Sequence, residues 1–286
     1  RLKNQTFSVG IEKGRGLTRI KFNTKPVKTA SEQVKKLPIY TLTPEHYILF
    51  VGSPKERRHW LDWSLFHVEQ NYLDVWKNYH RALRHRNTLL KEARLINSSE
   101  IEGWEKQIAE EGGKIDDMRE KYLFSLCSAL NEKHLPFVLP GKANINYLNK
   151  DYAKNGLRKT LETNRNKEAS KGYTFFGPHR TDILFDYQGT RVEKHLSRGQ
   201  TKLFAASLIS AQLAKLKEKG GCPIMLVDDL SAELDDKSSA KMLKLLLDNN
   251  TQTFVTSITL PEKIKKETNK AAVFHVEHGN IKKVVK

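Results

Sequence analysis

Leu196-Ser197-Arg198-Gly199-Gln200 is followed by Ile224-Met225-Leu226-Val227-Asp228-Asp229-Leu230-Ser231-Ala232-Glu233-Leu234-Asp235-Asp236. Between them runs Leu203-Phe204-Ala205-Ala206, then Leu208, Ile209, Ala211, Leu213 and Leu216, an apolar helix that must be buried on most sides. Its N-terminus, opened by Ser197, presents free N–H groups and the positive end of the helix dipole, which suits phosphate oxygens. Gly199 has no Cβ and lets backbone approach an anion closely. The competing reading is that Ser197 is an ordinary helix cap. The apolar run Ile224–Val227 then predicts a buried parallel strand, and its exit into two carboxylates is where nucleotide-binding folds hold Mg²⁺. Asp228 is the expected metal holder and Asp229 the expected catalytic group, orienting the attacking water. Here too a plain polar turn competes, with Asp235 and Asp236 as caps of the next helix.

Outward from this stretch, strands and helices alternate. Thr6–Lys13 and Thr18–Asn23 alternate apolar and polar residues around Gly14-Arg15-Gly16 and predict a hairpin. Leu37–Leu42 is a third expected strand, closed by Thr43-Pro44. From Trp60 to about Asn97 the pattern is helical, with Tyr72, Trp76, Tyr79 and Leu83 on one stripe. A second long helix is expected from about Trp104 to Lys133, with a break at Gly112-Gly113. The two, joined by a polar loop at 96–103, predict an antiparallel helical lobe or short arm of roughly 50 Å, too short for a long tether. Glu132–Gly141 reads as a connector, Asn144–Leu148 as a strand and Asp151–Lys171 as helix then loop. Tyr173–Phe176 and Asp182–Tyr187 are expected strands. A helix from Gln200, the strand Ile224–Val227, a helix from Lys237, the strand Gln252–Ser257 and a hairpin Ala272–Val276/Ile281–Val285 complete a largely parallel α/β core. No internal repeat or low-complexity tract interrupts it.

The formal net charge of +17 over 286 residues fits attraction to a polyanion and equally a well-solvated basic surface. Two cysteines, Cys127 and Cys222, exclude a disulfide framework and favour a reducing compartment. No stretch approaches the roughly 20 apolar residues of a membrane span. The expectation is a soluble, cytoplasmic protein with no membrane partner. Lys55, Arg57, Arg58, Arg81, Arg84 and Arg86 are candidate DNA-phosphate contacts, as are Lys159, Arg165, Lys167 and Lys171. No zinc finger or base-reading helix is evident, so binding should follow backbone and shape.

These segments resemble the signature, Walker B and D-loop of ABC-type ATPases. Gly177-Pro178-His179-Arg180-Thr181-Asp182 joins them, together with Thr43-Pro44-Glu45-His46, Pro54-Lys55-Glu56-Arg57-Arg58, Leu61-Asp62-Trp63 and His85-Arg86-Asn87. The fuller set resembles the RecF family, bacterial recombination mediators related to the heads of SMC-type ATPases, from about residue 37 onward. The resemblance implies an ATP- and Mg²⁺-dependent DNA-binding clamp. Such a clamp dimerises on ATP, promotes recombinase loading at gapped or single-stranded DNA, and serves DNA replication, repair and the SOS response. Its partners would be single- and double-stranded DNA, a second copy and recombination mediator proteins. Ser197, Gly199 and Gln200 would then bind the nucleotide of the opposite subunit, with Asp235 at the dimer seam. Glu45 would lie where related ATPases sense Mg²⁺ and γ-phosphate. Ser257-Ile258 stands where many carry a histidine, which implies slow hydrolysis, and the resemblance implies a weak DNA-dependent ATPase.

No G-x-x-x-x-G-K-[ST] phosphate loop occurs in the sequence. The expectation is an ABC-type ATPase head with an inserted helical lobe. The phosphate-loop part of the first lobe would be missing by N-terminal truncation, leaving the chain inactive alone. The implied divisions are 1–54 (β-rich remainder of the first ATPase lobe), 55–170 (helical lobe) and 171–286 (signature, Walker B and D-loop). The alternative is a non-catalytic DNA- or protein-binding module of ABC shape that has lost its nucleotide.

Overall fold

The computed structural model describes residues 8–14, 17–26, 37–92, 98–258 and 272–284. Thr6, Phe7, Arg15, Gly16, Ile96, Asn97 and Val285, which belong to expected strands and turns, lie outside the described residues. Strands β1 (Val9–Gly14), β2 (Leu17–Phe22) and β3 (Lys25–Pro26) form an antiparallel meander. The second sheet joins β4 (Ile39–Leu42), β8 (Ile224–Val227) and β9 (Gln252–Val255) in the order β4-β8-β9, all parallel. The third, antiparallel, holds β5 (Ala143–Leu148), β6 (Asp182–Tyr187) and β7 (Thr190–Arg191). A hairpin of β10 (Val273–Glu277) and β11 (Asn280–Val284) ends the described chain. The expected parallel core is therefore confined to the middle sheet.

Among the described residues six longer helices complete the fold: α1 (Pro54–Val68), α2 (Tyr72–Leu89), α3 (Ser99–Ala129), α4 (Leu157–Ala169), α5 (Arg198–Glu218) and α6 (Asp236–Leu247). Helix α5 is buried along most of its length, as its apolar sequence requires. Phe204 of α5 meets Phe50 edge-on at 5.5 Å, and Phe50 meets Phe185 of β6 at 5.3 Å, which ties the two sheets into one core. Its buried Gln212 is satisfied by α1: Gln212 donates to Ser64 at 2.5 Å and accepts from the Trp60 indole at 3.3 Å.

The helical region departs from the sequence expectation in instructive places. Helix α1 starts at Pro54, not Trp60, because proline fits a first helical turn, where no N–H partner is needed. The single helix expected to Asn97 breaks at 69–71 between α1 and α2. Gly112-Gly113 does not break α3; a Cβ at Gly112 would come within 2.8 Å of Leu157 and 3.3 Å of Tyr79, so this glycine marks close packing of α2 and α4. The 132–141 connector is largely helical, a wide turn at Leu130–His134 leading into Leu135–Val138, with Leu135 buried. Tyr173–Phe176 is not a strand: the Thr174 amide donates to Asn87 and the Phe175 amide to Glu168, so side chains replace a ladder. The Tyr72–Leu83 stripe is core, and Arg86–Glu105 and Tyr79–Gly112 contacts show α2 and α3 antiparallel.

Candidate functional site

Parallel pairing sets Leu42, Val227 and Val255 level across the sheet, so the residues after all three strands emerge at one edge. Such a carboxyl edge is where open α/β sheets place ligands. There the Asp228 amide donates to the Leu42 carbonyl at 2.8 Å. One hydroxyl links both carboxylate-bearing residues: Thr256 Oγ1 donates to Asp228 Oδ1 at 2.7 Å and accepts the Asp229 amide at 2.9 Å. Asp229 turns the chain with a left-handed φ of 50°, and its Oδ1 is buried without a hydrogen-bond partner among the described residues. An exposed carboxylate beside an orphaned carboxylate oxygen fits a largely hydrated Mg²⁺ that also takes phosphate oxygens. Among the described residues no three His, Cys, Asp or Glu side chains form a cage of their own.

Sequence reasoning missed Lys202. This buried lysine of α5 sends its ammonium to three backbone carbonyls of the following loop: Asp229 at 2.6 Å, Ala232 at 2.9 Å and Leu230 at 3.3 Å. Burial lowers its pKa, opposed by the charges of Asp229, Glu233 and Asp228. Its one sequence signal is a cation at the head of an otherwise apolar helix run.

Ser197 caps α5 reciprocally. Its hydroxyl accepts the Gln200 amide at 3.3 Å, and Gln200 Oε1 accepts the Ser197 amide at 2.9 Å. The cap reading of Ser197 therefore holds within the chain, and Gln200 shares it. Gly199 is explained from within as well: a Cβ there would lie 2.5 Å from the Glu233 carbonyl oxygen. Glu233 has a left-handed φ of 63°, and its carboxylate pairs with exposed Arg198 at 3.6 Å. Asp235 caps α6 by accepting the Ser238 amide at 2.7 Å, a bond that lowers its pKa. Signature and loop residues are thus packed on one another at the sheet edge.

Two of the six DNA candidates are corrected. Arg57 is buried in a two-point pair with Asp182 at 2.7 and 3.0 Å. Arg86 is fully buried between Glu105 at 3.0 Å and Glu168 at 2.7 Å. Neither side chain reaches an external phosphate; the burial of their helix faces outweighed their charge. Arg58 is half-buried and donates to the Thr181 carbonyl at 2.7 Å. Lys55, Arg81 and Arg84 are exposed. Of the further candidates, Arg165 pairs with Glu105 at 2.5 Å, while Lys159, Lys167 and Lys171 are exposed.

The family model for the RecF/RecN/SMC N terminal domain matches residues 1–282. The DNA replication and repair protein RecF of Vibrio atlanticus (strain LGP32) is 33% identical over 276 residues, 96% of this chain and 76% of that protein. The protein of the same name from Shewanella sediminis (strain HAW-EB3) is 34% identical over 280 residues, again 96% and 76%. The chain belongs to the RecF family. A solved structure of the recombination mediator protein RecF-ATPrS in the RecFOR pathway superposes with a TM-score of 0.76 at 25% identity, covering 97% of this chain and 76% of that one. An Smc head bound to the C-winged helix domain of ScpA gives 0.51 at 15% identity over 94% of this chain and 64% of that one, a likeness of fold alone. The RecF fold here is accordingly that of an ABC-type ATPase head.

Within this chain the Gly177–Asp182 turn is a structural hub. Gly177 has a φ of 130°, and a Cβ there would fall 2.5 Å from the Tyr79 hydroxyl. The Pro178 carbonyl accepts from Arg119 at 2.7 Å, and Arg119 also binds Asp62 at 2.6 Å. His179 donates from Nε2 to the Thr174 carbonyl at 3.1 Å, so Nδ1 accepts the Tyr79 hydroxyl at 2.6 Å. Burial pushes the His179 pKa down to about 4, with the charge of Arg180 adding to the effect. Glu45 is exposed just beyond β4, and Ser257 meets Ser231 at 3.0 Å.

Proposed function

We propose that this chain supplies the signature, Walker B and D-loop parts of an ATP-dependent clamp that acts in DNA replication and repair. It dimerises on Mg²⁺-ATP, holds gapped or single-stranded DNA and, with recombination mediator proteins, promotes recombinase loading and the SOS response. Ser197, Gly199 and Gln200 complete the nucleotide site of the opposite subunit, with Asp235 at the seam. Asp228 holds the metal through water, and Asp229 orients the attacking water. Lys55, Arg58, Arg81 and Arg84 contact DNA phosphates. The observation that carries this reading is the edge of the parallel sheet. There an exposed Asp228 and the orphaned Asp229 oxygen stand beside the N-terminus of α5, in a chain whose relatives are named as DNA replication and repair proteins. Bound Mg²⁺ would screen phosphate charge; the chain's own part is to place the carboxylates and the helix terminus.

Two substitutions in the full-length protein separate the roles. Asp228→Asn should weaken Mg²⁺-dependent ATP binding. Asp229→Asn should leave binding intact and slow turnover by about 100-fold or more, the usual worth of a positioned general base. If both variants hydrolyse ATP like the parent, the carboxylates are only turn and cap residues and the reading fails.

A further inference from the structure

In the Gly177–Asp182 turn every side chain but one is consumed by the interior. Pro178 is buried, His179 is locked between Tyr79 and Thr174, Thr181 bonds back to Pro178, and Asp182 is held by Arg57. Arg180 is the exception. It is exposed, it forms no ion pair among the described residues, and its guanidinium lies 5.3 Å from the ring centre of Tyr173. Tyr173 is itself 43% exposed and meets Phe175 edge-on at 4.9 Å.

The surroundings are basic. Arg58 is fixed beside the turn by its bond to Thr181, and its charge and that of Arg180 both bear on His179. The charge of Arg180 bears on Arg58 as well, so these two cations stand close together. The nearby carboxylates are already taken: Asp62 by Arg119 and Asp182 by Arg57. His179 stays neutral and serves as scaffold, leaving the arginines to carry the surface charge.

We infer that the turn presents Arg180 and Tyr173, flanked by Arg58, as a contact surface for single-stranded nucleic acid, with phosphates on the arginines and a base stacked on the Arg180–Tyr173 pair. Unpaired arginines match phosphate oxygens in a fixed fork. A planar guanidinium backed by an exposed aromatic ring is a stacking platform, and stacking is open to the splayed bases of a single strand. An acidic peptide would use the charges and leave the platform idle. The assignment rests on the DNA-binding reading above and adds Arg180 and Tyr173 to it.

The test is salt-titrated binding of labelled oligo-dT to the full-length protein. Arg180→Ala should weaken binding and flatten the slope of log K against log salt by about 0.7, one single-strand phosphate contact. Tyr173→Ala should weaken binding roughly fivefold or more with the slope unchanged, since stacking releases no counterion. Arg180→Lys should keep the slope and lose part of the affinity. Lys241→Ala, exposed on α6, should change neither quantity. Parent-like binding by both Arg180→Ala and Tyr173→Ala would overturn the inference while leaving the DNA-binding reading standing. Loss of duplex binding alone would overturn the single-strand assignment, and tighter, variant-sensitive binding of poly-glutamate than of oligo-dT would replace the partner with an acidic peptide. A parent that binds no DNA would instead overturn the reading beneath it.

Discussion

Lys202 and Asp229 are joined by a 2.6 Å hydrogen bond from the lysine ammonium to the aspartate's backbone carbonyl. The same ammonium reaches the carbonyls of Leu230 and Ala232, so one buried side chain of the signature helix sets the path of the loop that bears the proposed catalytic carboxylate. Lys202→Met keeps the aliphatic stem and removes the donor. Stability should fall by about 2–4 kcal/mol, because buried carbonyls lose their partners. ATP turnover in the full-length protein should fall at least tenfold while KM changes little, since the loop shifts and the binding groups do not. Urea unfolding and steady-state kinetics measure both; parent-like values would show that the loop holds its own shape.

Arg86 supplies a second prediction. It sits fully buried between Glu105 and Glu168, and burial raises the Glu168 pKa. Arg86→Met leaves buried carboxylates without their main cation, and unfolding free energy should drop by about 3–5 kcal/mol. Arg81→Met on the exposed face of the same helix should cost less than about 0.5 kcal/mol. Folded Arg86→Met, measured at low temperature, should bind DNA like the parent. A selective loss of DNA affinity without loss of stability would return Arg86 to the phosphate contacts.

Two histidines, the buried His134 and the half-buried His179, make stability depend on pH. Burial lowers both His134 and His179 to about 4. The unfolded chain takes up these protons near the ordinary histidine value of about 6.5, before the folded chain does. Their contribution is therefore full above about pH 6.5, declines as pH falls, and is gone below about 4. Each accounts for an order of 3 kcal/mol across that window. Urea midpoints at pH 7.5 and pH 5 should differ, and His179→Gln should shrink the difference. An unchanged pH response in that variant would mean that His179 is not held neutral.

The central sheet was legible because Ile224–Val227 is apolar throughout, and only a central parallel strand buries both faces. The cap at Ser197 was legible as one of two readings, but the reciprocal bond from Gln200, which stands at the matching spacing, went unread. What local pattern does not carry is the partner brought from far along the chain. Lys202 and Thr256 meet the carboxylate pair only through the fold. Charge misled at Arg57 and Arg86, where acids 125 residues and 19 residues away neutralise them inside the protein. Tyr173–Phe176 looked like a strand by composition, but Asn87 and Glu168 take its amides. Gly199 was read for anion approach, whereas the contact that demands glycine within the chain is the Glu233 carbonyl.

In the proposed dimer the N-terminus of α5 serves a nucleotide held by another copy. Ser197→Arg places a bulky cation where the γ-phosphate would sit; the lost cap costs only about 1 kcal/mol, so the variant should remain folded. Light scattering of the full-length protein, with and without Mg²⁺-ATP, measures the consequence. The parent should shift from monomer to dimer on ATP, while the variant binds ATP and stays monomeric. A variant that dimerises on ATP as the parent does would contradict the claim and leave Ser197 as a helix cap alone.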